Sequence, residues 1–84
     1  MNTAKIEMLT ATLADAGMAG DVRARTLGAI CEFALQDRVE ALAIWTCAAN
    51  ARPYSVDDHI ESARRMERAM EVHATALARA CPHR

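Results

Sequence analysis

Met66, Met70 and His73 stand at steps of four and three, so a helix would carry two thioethers and an imidazole on one stripe, with His59 two turns before Met66. Soft sulfur donors beside an imidazole suit Cu(I) or a haem iron. The segment Cys81-Pro82-His83-Arg84 adds a thiol in two short patterns, Cys-Pro and Cys-x-His, that also occur at haem and soft-metal sites. The same residues have plainer roles. Methionine at this spacing fills a helical core seam, and proline after cysteine stops a helix. Cys31, Cys47 and Cys81 lie too far apart to form a CxxC pair, and three is an odd count, so neither a zinc site nor a disulfide framework is indicated. No cofactor is expected and no metal should be needed for folding; Met66, Met70, His73 and Cys81 remain the outside candidates for ligands.

A second group is cationic. Arg64, Arg65 and Arg68, with Arg52 upstream, could grip phosphates or the acids of a partner. Glu61, Glu67 and Glu71 are interleaved with them at helical spacings, the pattern of a solvated, salt-bridged face. A third reading takes Leu13 to Ile30 as the outline of a DNA-binding helix-turn-helix, with Arg23 and Arg25 early in the recognition helix. With Gly17 as the turn glycine, however, the inward positions of that helix fall on Arg23 and Thr26. An ordinary αα-hairpin fits better. No catalytic spacing emerges: the acids sit at helix starts or among paired surface charges, and there is no Gly-rich phosphate loop and no H-E-x-x-H. The chain is not read as an enzyme.

Those side chains must be positioned by a small helical scaffold. The chain has 84 residues, and 52% of them are hydrophobic, but alanine supplies 19 of the 44 such positions, leaving 25 larger side chains for a core. Aromatics are limited to Phe33, Trp45 and Tyr54. Abundant alanine with few glycines and prolines argues for an all-α fold and against sheet or disorder. Ten basic residues against eleven acidic ones give a net charge of −1, which excludes the positive field of a non-specific nucleic-acid or anionic-membrane binder. No apolar run is long enough to span a membrane, and the first residues lack the layout of a secretory leader, so a cytoplasmic protein is expected.

Hydrophobic periodicity then divides the chain. Ile6, Leu9, Leu13 and Ala16 share one face of a first helix, about 4–16, capped by Thr3 and ended by Gly17. Asp21 is the expected N-cap of a second helix whose apolar side carries Val22, Leu27, Ile30, Cys31, Ala34 and Leu35. Extending that helix puts Asp37 and Arg38 on its apolar side, and Asp37-Arg38-Val39-Glu40 has the form of a capping box, so a break near 36–38 is predicted. A third helix over 39–49 follows, apolar nearly all round, with Val39, Leu42, Ile44 and a buried Trp45. Asn50 to Tyr54 form the clearest loop, since Pro53 disfavours helix before it. Ser55 caps a long last helix, about 56–80, which Cys81-Pro82 stops.

The expected architecture is one domain, 1–84: an all-α bundle of three to four helices with a long final helix. Its partners and its function are read from surface. Residues 39–49 present more apolar side chain than the other helices can wrap, so something else must cover them. The expected function is a non-enzymatic protein–protein interaction module, a self-associating adaptor, regulator or inhibitor acting on a larger assembly. Its partner is a second copy or a larger protein, contacted through Trp45, Leu42, Val39, Arg52, Arg64, Arg65 and Arg68. A DNA-binding regulator and a Cu(I)- or haem-binding protein are the alternatives. Nine arginines to one lysine, with much alanine, suggest a GC-rich bacterial or phage source.

Overall fold

The computed structural model describes residues 1–81 and is all helix apart from its connections. Three helices follow in order: α1 Thr3–Thr12, α2 Gly20–Ala49 and α3 Val56–Ala80. The long last helix lies where periodicity predicts it. Pro82, in the expected helix stop, lies outside the described residues.

Local chemistry explains the ends. Ser55 is the N-cap of α3, its hydroxyl accepting from the Asp58 amide at 3.2 Å, and Asp57 and Asp58 put negative charge at the positive end of the helix dipole. Asn50 closes α2, its side-chain amide donating to the Thr46 carbonyl at 2.8 Å. Asp21 is not the N-cap of α2: the helix begins one residue earlier, and Asp21 sits in its first turn, paired with Arg25 at 3.3 Å. α1 stops short of its expected end at residue 16. After Thr12 the chain tightens into turns, Asp15 Oδ1 accepts from the Gly17 amide at 2.9 Å, and no glycine adopts positive φ, so Gly17 is not a left-handed cap.

The predicted break near 36–38 is absent. α2 runs unbroken for 30 residues, replacing the two helices expected there. Asp37 and Arg38 do lie toward the interior, but each finds a polar partner outside α2, Asn2 before α1 and His73 on α3, which removes the reason for the backbone to deviate.

α2 and α3 form an antiparallel hairpin. Trp45 meets His59 near the connection, Glu40 meets Arg65 in the middle, and Ala34 and Ala76 share the core cluster further along. The seam is made of small residues. Ala34 and Ala41, seven apart on α2, are 0% exposed, and they face Ser62, Ala69 and Ala76, again spaced by seven, on α3. Steps of seven keep one stripe in register along paired helices, and side chains this short let the two backbones approach closely. α1 packs antiparallel to the first half of α2. Leu13, Ile30, Ala34 and Ala76 form the core cluster there, ringed by Ile6, Leu9, Met18, Leu27 and Cys31.

The result is flat and long, with principal extents of 54 × 27 × 14 Å. It hides little. Among the described residues Leu13 and Ile30 are the buried large hydrophobics and the rest of the buried apolar set is alanine. Residues 39–49 are not the enclosed segment expected from their composition: Val39 and Leu42 are exposed, and Trp45 is half-buried.

Because the seam is closed by methyl groups, Ala41→Leu is expected to force the helices apart and lower unfolding stability by about 1–3 kcal/mol. Urea titration of this variant beside Ala43→Leu, which enlarges an exposed position on the same helix, checks it.

Candidate functional site

Three polar arrangements hold the scaffold. Asp37, on the interior side of α2, accepts from the Asn2 backbone amide with Oδ1 at 3.0 Å and Oδ2 at 3.2 Å. A carboxylate in the middle of one helix therefore caps the start of another, where orphan amides and the helix dipole favour negative charge. The Asn2 side chain adds bonds to Gln36 Oε1 at 3.1 Å and to the Phe33 carbonyl at 3.4 Å, and Lys5 stands over the Phe33 ring at 5.1 Å. At its other end α1 is held by Arg23, whose Nη2 donates to the carbonyls of Leu13 at 3.0 Å and Asp15 at 3.3 Å. Arg23 is the residue that a helix-turn-helix would need for bases; here it is committed to the scaffold.

The second arrangement joins α2 to α3. Arg38 Nη1 lies 3.2 Å from His73 Nδ1. A guanidinium can only donate, so in this bond His73 Nδ1 is the acceptor. The third is an aromatic cluster at the hairpin tip: His59 stacks at a tilt on Trp45, with ring centroids 5.9 Å apart, meets the Tyr54 ring edge-on at 5.6 Å, and hydrogen-bonds the Tyr54 hydroxyl through Nδ1. Sequence periodicity misses this cluster because Tyr54 lies in the loop.

Of the metal candidates, Met66, Met70 and His73 share one stripe of α3, and His73 commits its Nδ1 to Arg38. Met66 is half-buried, Met70 exposed, His73 buried against Arg38 and Cys81 exposed. Among the described residues no three of His, Cys, Asp and Glu gather at one point. Burial, and then the neighbouring Cys81, push the Cys31 thiol above its ordinary pKa, so it stays protonated and a poor nucleophile at neutral pH.

The arginines separate from the apolar candidates. Arg65 reaches Glu40 across the seam at 3.6 Å. The expected pairs within α3 do not close: among the described residues the ion pairs are Arg25–Asp21 and Arg65–Glu40. Arg65 and Arg68 line a cleft of about 420 Å³ beside α1 with Met1, Ile6 and Val72, and Arg68 and Arg79 line its neighbour of about 360 Å³. Arg64 lies with Arg68 on a shallow polar surface beside Asp57 and Glu61. Arg52 is exposed in the α2–α3 connection, near the aromatic tip.

Val39 and Leu42 belong to a different surface. Leu42 follows Phe33 by nine residues, about two and a half turns, and so faces away from α1. On α3, Leu77 follows Arg68 by the same nine residues and likewise turns its back on the α1 side. Leu35, Val39 and Leu42 from α2 thus join Met66, Met70 and Leu77 from α3 on one uncovered side of the hairpin; all but Met66, which is half-buried, are exposed. Glu32 and Glu67 flank it, and Arg38 reaches it from the seam. Trp45 stands at its end, nearer the seam.

Comparisons with known families, with curated proteins and with solved structures find no match to this chain. Among the described residues no helix is long and apolar enough to cross a membrane.

Asp37→Ala leaves the amide of Asn2, the N-cap of α1, without its acceptor. The expected outcome is a loss of about 1–3 kcal/mol, with amide-exchange protection falling across residues 3–12 while α2 and α3 keep theirs.

Proposed function

We propose that the protein is a non-enzymatic interaction module that self-associates and serves as an adaptor, regulator or inhibitor of a larger protein assembly. One observation carries this reading: the chain exposes far more surface, and more apolar side chain, than its size requires. Its accessible surface is 5940 Å², whereas a compact monomer of 9.2 kDa exposes about 4,900 Å². The excess, about 1,000 Å², is of the order of the ~800 Å² per partner that a stable protein interface buries. The flat shape is its source, and the apolar side chains left outside the core are its chemistry.

Charge supports a protein partner over nucleic acid. The net charge is −1, and the arginines beside α1 share their clefts with Glu7 and Glu71. The composition that suggests a bacterial or phage source, together with free cysteines, suits a reducing cytoplasm.

Sedimentation equilibrium at micromolar concentration tests the reading. A species of about twice the 9.2 kDa chain mass is expected; a monomer throughout, binding no hydrophobic dye, contradicts it.

A further inference from the structure

We infer that the second copy docks on the side of the α2–α3 hairpin that faces away from α1, so that two hairpins meet face to face as a four-helix assembly. The inference rests on the self-association proposed above and adds to it the surface, its orientation and its symmetry.

The two broad sides of the molecule differ in kind. α1 covers one, and the clefts left there are rimmed by Arg65, Arg68 and Arg79. Among the described residues nothing covers the other. Leu35, Val39 and Leu42 stand beside Met66, Met70 and Leu77 there, and Val39 is 60% exposed. Their spacings of three, four and seven keep each set on one stripe of its helix, directly alongside the alanine seam. A hairpin presenting two parallel apolar stripes is half of a four-helix bundle, and an identical hairpin supplies the missing half.

Two features favour a second copy as the occupant. The first is area, since the surface in excess of a compact chain is about what one subunit contributes to a stable dimer interface. The second is charge. Arg38 is the cation nearest the middle of this side and, among the described residues, has the Nδ1 of His73 and no carboxylate as its partner. Glu32 and Glu67 flank the same surface, so it carries both signs itself. A two-fold axis makes every contact twice, with the same patch on each subunit. A patch of one sign would repel its copy, whereas this one offers acids to the other's Arg38.

Cross-linking tests the orientation without disturbing the fold. With the native cysteines replaced by serine, Met70→Cys and Val72→Cys each place one exposed thiol on α3, on the uncovered side and on the α1 side respectively. A short bismaleimide at micromolar protein is expected to link Met70→Cys into covalent dimers and to leave Val72→Cys monomeric. Leu42→Glu, which puts a charge on the same surface, is expected to weaken dimerisation about tenfold or more, read by sedimentation. Preferential linking of Val72→Cys, with the unmodified chain still dimeric, would overturn the proposed surface while leaving self-association intact. A chain that sediments as a monomer and links at neither position overturns both.

Discussion

The alanine seam between α2 and α3 is the constraint from which the rest of the molecule follows. Ala34 and Ala41 face Ser62, Ala69 and Ala76, so the helices meet along a line of methyl groups and one hydroxyl. Such a contact brings backbones close and fixes the register, but each small side chain removes little apolar area from water. The larger hydrophobics are displaced to the flanks of the seam. On one flank α1 collects Leu13, Ile30 and their neighbours into a core; on the other, Leu35, Leu42, Met70 and Leu77 stay exposed, with nothing above them among the described residues. A thin core and an apolar outer surface are two consequences of one packing choice.

Polar groups, in turn, hold what the core is too small to hold. α1 contributes no buried residue within its helical span, yet the chain is tied on both sides of it, by Asp37 to the Asn2 amide just before and by Arg23 to the Leu13 and Asp15 carbonyls just after. Arg38 and His73 bridge the hairpin beside the seam, and the Trp45–His59–Tyr54 cluster closes its tip. Asp37, buried in the middle of α2, would be costly to leave unpaired, so its contact specifies register and direction more than it adds stability.

Periodicity and capping chemistry are local properties, and what depends on them was legible: the all-α class, the span of the last helix, Ser55 as its cap and the loop around Pro53. The continuity of α2 was not, because Asp37 and Arg38 on an apolar stripe look like an interruption until Asn2 and His73, 35 residues away from each in sequence, arrive as partners. Residues 39–49 look enclosed because their composition is apolar all round; of this stretch Ala41 alone is buried in the seam, leaving Val39 and Leu42 outside. Of the candidate contact residues, Val39 and Leu42 fall on one surface, whereas Arg65 and Arg68 fall on the opposite one. A spacing argument cannot separate them without knowing which side α1 takes.

The central claim is that this chain buries too little by itself and is completed by association. Anything that binds the folded state alone raises its stability by mass action, so a chain that folds into an assembly melts at a temperature set by its own concentration. The direct measurement is the thermal midpoint by circular dichroism across a hundredfold range of protein concentration. The account predicts that Tm climbs with concentration. A high Tm that stays constant over the whole range would contradict it, because the three helices would then be stable on the contacts they make within one chain.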